Sequence, residues 1–261
     1  MNLDLSGKMA VVCGSTQGLG YASAAELALL GCNVILMARN QEKLVEAVQS
    51  LSKKDGQTHG YLVADFTDTA AVKRVINEFV KTNTVHILVN NTGGPGGGPA
   101  LTASTDEFLS AFNNHLINNH NLTLAVVPGM KLAGFGRIIN IVSTSVKIPL
   151  AGLGVSNTIR GAVASWAKTL ATELGSFGIT VNNVLPGFTK TSRADYVIAK
   201  KAGDTGKTEE AVLAELVAEI PARRIGRPEE FGAAVAFLCS PAAAYINGIN
   251  LPVDGGRLGC L

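Results

Sequence analysis

Residues Met9–Gly20 read Met-Ala-Val-Val-Cys-Gly-Ser-Thr-Gln-Gly-Leu-Gly, and this stretch decides the fold. Its first five residues are apolar and predict a buried strand, Met9–Cys13. Gly14 permits a tight turn, Gly18 lets the backbone approach a ligand, and Gly20 lets a following helix pack closely on the strand. This order of strand, glycine-rich turn and helix is typical of a dinucleotide-binding site, because the helix N-terminus offers free N–H groups to a pyrophosphate. We therefore predict a cofactor-binding turn made of Gly14, Ser15, Thr16, Gln17, Gly18, Leu19 and Gly20.

Short apolar runs alternate with longer helical patterns along the rest of the chain. The helix after Gly20 is predicted to stop at Gly31, a capping box of Ser104 and Glu107 opens another helix, and Pro228 begins a third. We predict an α/β fold, with a single doubly wound (Rossmann-type) parallel seven-stranded sheet, helices on both faces, and one domain at residues 1–261. The six further strands are predicted at Asn33–Ala38, Gly60–Val63, His86–Val89, Arg137–Val142, Thr180–Leu185 and Asn250–Val253.

The composition narrows the possible classes of function. Hydrophobic residues make up 47% of the chain and charged residues 16%, which is typical of a globular domain with a large core. The net charge of +2 does not predict a nucleic-acid or membrane partner, and no apolar run reaches the roughly 18 residues that span a bilayer. The N-terminus does not resemble a signal peptide. The four cysteines are widely spaced, so we expect free thiols, no metal site and a cytoplasmic location.

Two segments follow predicted strand ends and interrupt the regular pattern. Gly93–Pro99 is a loop of glycine and proline, and residues 190–227 form a polar, helical, lid-like segment. Open α/β sheets bind ligands at the edge where their parallel strands end. Each segment is therefore either a surface connection or a wall of the ligand site.

The end of the second predicted strand indicates the cofactor. NAD-binding sites usually carry an acidic residue there, whose carboxylate binds the ribose hydroxyls. This chain has Ala38 followed by Arg39, and a guanidinium can form a forked pair with a 2′-phosphate. We therefore expect NADP, with NAD as the alternative.

Motifs along the whole chain resemble those of the short-chain dehydrogenase/reductase family. Besides the glycine turn they are Asp65, Asn90–Gly93, Ile139–Ser143, Val181-Asn182, Pro186-Gly187 with Thr191, Gly226–Glu230, Asn247-Gly248 and Val253–Gly256. The resemblance implies that Asp65 contacts the adenine. It also places the other cofactor-binding residues along the cleft and beside the nicotinamide, namely Asn91, Gly93, Pro186, Gly187, Thr189 and Thr191. The chain is most similar to 3-ketoacyl-carrier-protein reductase-like members, which are typically tetramers. The resemblance therefore implies a homotetramer built on helices Thr105–Leu132 and Val155–Glu173.

The catalytic positions depart from the family pattern of Asn, Ser, Tyr and Lys. Ser143 retains the serine, three residues after Asn140. The tyrosine and lysine positions hold Ser156 and Arg160, and the asparagine position holds His115. The sequence thus resembles a divergent branch of the ketoacyl reductase-like group.

These replacements alter the expected proton chemistry. A serine hydroxyl is far less acidic than tyrosine, and arginine does not release its proton in a protein. Free histidine titrates near neutrality, so we expect His115 to supply or relay the proton, with reduction weakening above neutral pH. A purely structural His115 is the alternative, with Tyr196 as the next candidate. Arg160 is expected to take over the lysine's contact with the nicotinamide ribose.

We expect an NADP-dependent oxidoreductase acting on a carbonyl or alcohol, 3-ketoacyl reductase-like, with a non-standard proton relay. Its substrate would be a small molecule or an acyl thioester. The alternative is a catalytically degenerate dinucleotide-binding protein that acts as a sensor or assembly partner, because an intact cofactor turn fits both functions. A lyase or dehalogenase-like enzyme is disfavoured, since such relatives lose the glycine turn.

Overall fold

The strands lie where continuous apolar runs occur in the sequence. The computed structural model describes residues 1–54 and 56–260, so the other two positions of the predicted 1–261 domain lie outside the described residues. The strands are β1 (Met9–Cys13), β2 (Asn33–Ala38), β3 (Gly60–Val63), β4 (Ile87–Asn90), β5 (Gly136–Ile141), β6 (Ile179–Pro186) and β7 (Asn250–Val253). All pair in parallel, in the order β3-β2-β1-β4-β5-β6-β7. This confirms the predicted doubly wound seven-stranded sheet.

Four predicted strands have the observed bounds, and three differ by one residue at both ends. The predictions His86–Val89, Arg137–Val142 and Thr180–Leu185 correspond to β4, β5 and β6. The differences arise because hydrogen bonding to the neighbouring strands, rather than the apolar run, fixes each strand end.

Helices cover both faces of the sheet. In the described chain they are α1 (Gly18–Leu29), α2 (Gln41–Gln49), α3 (Thr69–Phe79), α4 (Thr105–Phe112), α5 (Asn118–Ala133), α6 (Gly154–Leu174), α7 (Ser192–Thr205), α8 (Glu209–Ala218) and α9 (Pro228–Cys239). One buried cluster packs α1, α2 and α9 on one face, and a second packs α3, α5 and α6 on the other. Burial on both faces explains why the strands read as continuous apolar runs rather than as alternating ones.

The predicted helix Thr105–Leu132 is not one regular helix. It starts at the predicted capping box, in which the Ser104 hydroxyl accepts from the Glu107 amide and the Glu107 carboxylate accepts from the Ser104 amide. A π-helical turn, Asn113–Ile117, then separates α4 from α5. An extra residue in one turn changes the direction of the side chains that follow, and such turns are frequent at functional sites. The second predicted interface helix, Val155–Glu173, lies within α6.

A row of asparagines links four neighbouring strands, through the carboxyl-terminal halves of β4, β5 and β6 and the first residue of β7. The side-chain amide of Asn90 donates to Asn140 at 2.9 Å, Asn140 donates to Asn183 at 3.0 Å, and Asn183 donates to Asn250 at 2.8 Å. Each pair is also opposed in the strand register. Buried amides that bond only to one another favour a single register. The row therefore fixes the alignment of β4, β5, β6 and β7 relative to one another.

The predicted lid-like segment at residues 190–227 contains α7 and α8. These two helices share a small apolar cluster of Ile198, Ala202, Val212 and Leu216, with Phe188 packed against it. Among the described residues, no helix has the length and apolar character needed to cross a membrane.

Candidate active site

The turn between β1 and α1 has the shape of a phosphate cradle. Gly14 and Gly18 have φ angles of +56° and +62°, a region that side chains disfavour. A Cβ at Gly14 would lie 2.5 Å from the backbone oxygen of Asn91, and a Cβ at Gly20 would lie 2.4 Å from the Gly14 oxygen. Helix α1 begins here without a side-chain cap, so its first N–H groups remain free for an anion. The turn therefore fits a pyrophosphate.

Not every predicted residue of the turn offers its side chain to a ligand. Ser15 is fully buried, and its hydroxyl donates to the Val12 oxygen at 2.7 Å and accepts from the Met37 amide at 3.2 Å. Its side chain ties β1 to β2, and only its backbone remains available to a cofactor. Thr16 is half-buried, as is Leu19.

Asn91 and Gln17 fix the turn from two sides. The Asn91 amide donates to the Gly14 oxygen at 3.0 Å, which holds the turn against the end of β4. Gln17 is exposed, and its amide donates to the Ser192 hydroxyl at 3.3 Å. The first residues of the lid-like segment therefore touch the glycine turn.

Arg39 and Asp65 lie beyond the paired ends of β2 and β3. Arg39 is exposed, and no ion pair or hydrogen bond of its guanidinium is found in the described part of the chain. Hydrogen bonds from the amide and hydroxyl of Thr67, and the charge of Arg39, hold the pKa of Asp65 below its usual value. A free guanidinium and a carboxylate thus lie at the edge where an adenosine ribose would lie in a bound dinucleotide.

The end of β6 leads into the remaining predicted cofactor residues. Pro186 ends the strand, and a Cβ at the following Gly187 would lie 2.4 Å from the Cα of Asp254, so only glycine fits there. Thr189 is buried, and Thr191 caps α7 by accepting from the Ala194 amide at 3.3 Å.

The predicted catalytic residues come from β5, α6 and the π-helical turn. Ser143 follows β5, is half-buried, and accepts a hydrogen bond from the Ser145 amide at 3.0 Å, which leaves its own O–H to donate. Ser156 lies half-buried in the first turn of α6. Arg160 lies four residues further on the same helix face, is buried, and donates to the Ile141 oxygen at 3.1 Å.

His115 is the buried residue of the π-helical turn, with only 2% of its surface exposed. Its Nδ1 and the Thr92 hydroxyl share a hydrogen bond of 2.6 Å. Nε2 has no hydrogen-bond partner among the described residues. Burial, together with the charge of Arg160, lowers the pKa of His115 from 6.5 to about 3. The expectation that His115 titrates near neutrality is therefore wrong, because its imidazole is neutral at pH 7.

A cavity of about 350 Å³ opens beside His115. Its walls are the glycine loop after β4, the exposed side of α4 and the start of α6. The lining residues are Gly93, Gly94, Pro95, Gly96, Asp106, Glu107, Ser110, Ala111, Asn114, His115 and Val155. Tyr196 is not among them. It is 57% exposed on α7, with the Arg193 guanidinium 5.4 Å from its ring centre.

Sequence reasoning missed Thr92 as the partner of His115, and Asp106 and Asn114 as cavity residues. No sequence signal marks the π-helical turn that brings His115 to Thr92, since the two are 23 positions apart. Within the described residues there is no group of three or more side chains suited to hold a metal ion.

Comparisons with known proteins identify the family of the chain. A family model described as enoyl-(acyl carrier protein) reductase matches residues 14–257. The 3-oxoacyl-[acyl-carrier-protein] reductase FabG of Pseudomonas aeruginosa is 33% identical over 258 residues, which cover 97% of this chain and 98% of the relative.

Two solved structures are similar over nearly their whole length. L-sorbose reductase from Gluconobacter frateurii, complexed with NADPH and L-sorbose, superposes with a TM-score of 0.93 at 31% identity, with full coverage of both chains. YwfH, an NADPH-dependent reductase involved in bacilysin biosynthesis, superposes with a TM-score of 0.90 at 26% identity, over 98% of this chain and 100% of that one. The chain therefore belongs to the short-chain dehydrogenase/reductase family of oxidoreductases.

Proposed function

We propose that this protein is an NADP-dependent oxidoreductase that interconverts a carbonyl compound and an alcohol, in the manner of 3-ketoacyl reductases. One observation carries the proposal. An intact glycine turn with an uncapped helix N-terminus shares one sheet edge with a cavity lined by His115, whose Nε2 has no hydrogen-bond partner among the described residues.

The cofactor preference rests on Arg39. A free, exposed guanidinium at the end of β2 suits a 2′-phosphate, and the two similar solved structures are NADPH reductases. NAD remains the alternative cofactor. When bound, the nicotinamide supplies or accepts the hydride.

Ser143 binds the substrate oxygen, and His115 supplies its proton. The Ser143 oxygen is fixed by the Ser145 amide, so its O–H is directed to an acceptor such as a carbonyl oxygen. A neutral His115 that accepts from the Thr92 hydroxyl through Nδ1 carries its proton on Nε2, beside the cavity. The proton then passes from Nε2 to the developing alkoxide, and water in the cavity returns one to Nε2, so the net proton comes from solvent while the Thr92 hydroxyl keeps its own proton and orients the ring. His115 acts as a neutral donor in this scheme and never as an imidazolium.

Ser156 and Arg160 do not replace the tyrosine as an acid. A serine hydroxyl is a weak acid. Burial lowers the pKa of the Arg160 guanidinium from 12.5 to about 10, so it still keeps its proton at neutral pH. Ser156 is assigned to positioning the substrate. Arg160 is assigned to the nicotinamide ribose, the contact expected of the family's lysine, because its fork of N–H groups can donate to hydroxyl oxygens.

The proposal is tested by mixing the protein with NADPH and a panel of ketones, aldehydes and 3-ketoacyl thioesters while NADPH absorbance is followed. Turnover that falls by about 10²–10⁴-fold in His115→Asn, with unchanged NADPH affinity, is the expected result. Turnover that is the same in both proteins would remove His115 from the mechanism.

A second function is favoured by the lack of an ordinary acid at position 156 and by the low pKa of His115. The protein would then bind the dinucleotide as a sensor or as a partner in an assembly. NADPH binding without turnover of any member of the panel would support this second function instead.

A further inference from the structure

One side of the cavity beside His115 is lined by polar side chains of α4 and of the turn that follows it. Asp106, Ser110 and Asn114 are spaced four residues apart, so they lie along one side of the helix. In the part of the chain that the structure describes, none of these three side chains has a hydrogen-bond partner, and no ion pair includes Asp106. All three are therefore available to a ligand.

The charged groups of the cavity lining are both carboxylates. Asp106 is exposed, and Glu107 accepts from the Ser104 amide and hydroxyl, which hold the pKa of Glu107 below its usual value. No lysine or arginine is found among the described residues that line the cavity. Two carboxylates repel an anion and attract a cation. The exposed end of the cavity therefore suits a cationic group.

The inner end of the same cavity gives an independent indication of a ligand. His115 lines it with only 2% of its surface exposed, and among the described residues its Nε2 has no hydrogen-bond partner. Buried polar atoms in proteins are normally hydrogen-bonded. The carbonyl or alcohol oxygen of a substrate would supply the missing partner.

The charges around the cavity give a bound molecule a direction. The positive charge of Arg160 acts on His115 at the inner end, and the carboxylates of Asp106 and Glu107 lie at the exposed end. A molecule with a carbonyl at one end and a cation at the other therefore binds with its cation outward.

The dimensions of the cavity limit the length of that molecule. Asp106 and His115 are nine residues apart, which is about 13 Å along a helix. The volume of about 350 Å³ lies near the lower end of the range for small-molecule sites. Because both side chains extend into this space, a chain of a few carbon atoms between carbonyl and cation fits between them.

A thioester of a phosphate-bearing carrier fits the cavity less well. Its phosphate would meet the two carboxylates at the opening, and like charges across a contact disfavour binding. The apolar side chains among the described lining residues are those of Pro95, Ala111 and Val155, which are too few to enclose a long acyl chain.

We propose that the cavity binds a small carbonyl compound, or the corresponding alcohol, that carries a positively charged ammonium group a few carbon atoms from the reacting carbon. The inference rests on the proposed function and deepens it, with Asp106 as the residue that selects the cation. In the reduction a hydride adds to the carbonyl carbon, and the carbon–oxygen double bond becomes a single bond. The oxygen takes a proton that comes from solvent through His115. The nicotinamide is oxidised, and the ammonium group is unchanged.

Calorimetry on the full chain saturated with NADP⁺ tests the proposal without requiring turnover. The probes are three methyl ketones of equal chain length with a cationic, an anionic and a neutral end: (5-oxohexyl)trimethylammonium, 6-oxoheptanoate and 7,7-dimethyloctan-2-one. We expect the cation to bind about threefold to thirtyfold more tightly than the anion, because an exposed carboxylate attracts one and repels the other. A cation that does not bind, or that binds no more tightly than the anion, would overturn the proposal.

Variants locate the carboxylate that is responsible. Asp106→Asn keeps the shape of the side chain and removes its charge, so the preference for the cation over the anion should fall about threefold or more. The affinity for the neutral ketone should change less than the affinity for the cation.

Glu173→Gln is the matched control, because it makes the same change in net charge far from the cavity. Glu173 is exposed near the end of α6, about 27 Å along that helix from Val155 in the cavity lining. This variant should retain the full preference for the cation. A preference that is unchanged in Asp106→Asn, or that falls equally in Glu173→Gln, contradicts the proposal.

Oxidation of NADPH by the same ketones separates this inference from the proposed function. A preference for the cation in binding, with no oxidation of NADPH by any of the three ketones, would refute the oxidoreductase function and leave the cation site in place. Oxidation of NADPH with equal kcat/KM for the cation and the anion would refute the cation site and leave the oxidoreductase function in place.

Discussion

The buried His115 makes the folded protein sensitive to acid in a way that can be worked out from its pKa. In the unfolded chain a histidine has a pKa near 6.5, and burial first, then the charge of Arg160, lowers that of His115 to about 3 in the native state. Below pH 6.5 the unfolded chain therefore binds a proton that the native protein excludes. The contribution of His115 to stability is complete above pH 6.5 and is lost as the pH falls toward 3.

The size of the loss follows from the same values. Each pH unit in this window is worth about 1.4 kcal/mol, and pH 5 lies about 1.5 units below 6.5. The free energy of unfolding should therefore fall by about 2 kcal/mol between pH 8 and pH 5 on account of His115 alone. His115→Asn should abolish this part of the loss.

Urea unfolding at pH 8 and pH 5 measures the loss in the unmodified protein, in His115→Asn and in the control His120→Asn, which removes an exposed histidine from the next turn. His86, whose pKa is also lowered by burial, is present in all three proteins and cancels in the comparison. If the free energy of unfolding falls by the same amount between pH 8 and pH 5 in His115→Asn and in the unmodified protein, the assignment of a buried neutral imidazole is refuted.

Three further predictions follow from the site and the surface. Arg39→Asp should reverse or erase a preference for NADPH over NADH of roughly tenfold to a hundredfold, and equal dissociation constants for the two cofactors in the unmodified protein would contradict it. Because neutral His115 needs no protonation, its contribution to kcat should not change between pH 6 and pH 8. A decline of kcat centred near pH 6.5 that is absent in His115→Asn would contradict this prediction. The exposed Leu109 and Leu124 on α4 and α5 suit a homotetramer, which light scattering at micromolar concentration should detect. A monomeric mass in the light-scattering measurement would refute the homotetramer.

Local chemistry made most of the fold predictable. The strands of a parallel sheet are buried on both faces, so runs such as Met9–Cys13 and Asn33–Ala38 are continuous and easily recognised. The capping box at Ser104 needs only residues that are neighbours in the chain. The glycine turn is likewise specified within seven consecutive residues, which is why its position and its backbone geometry follow from the sequence.

The site depends on contacts that no local pattern encodes. The π-helical turn at Asn113–Ile117 is set by packing, so the sequence predicts an unbroken helix there. The pKa of His115 depends on its burial and on Arg160, which is 45 positions away in the chain. Ser15 reads as a cofactor ligand in the sequence, yet its hydroxyl bonds to Met37 on the neighbouring strand.

The most direct test of the oxidoreductase function is the transfer of a labelled hydride. The protein is incubated with NADPH deuterated at C4 of the nicotinamide and with a panel that includes (5-oxohexyl)trimethylammonium, L-sorbose and a 3-ketoacyl thioester, and the alcohols are analysed by mass spectrometry. We predict one deuterium at the carbinol carbon of at least one product, with incorporation greatly reduced in His115→Asn. Tight binding of NADPH with no deuterium in any product would contradict the account.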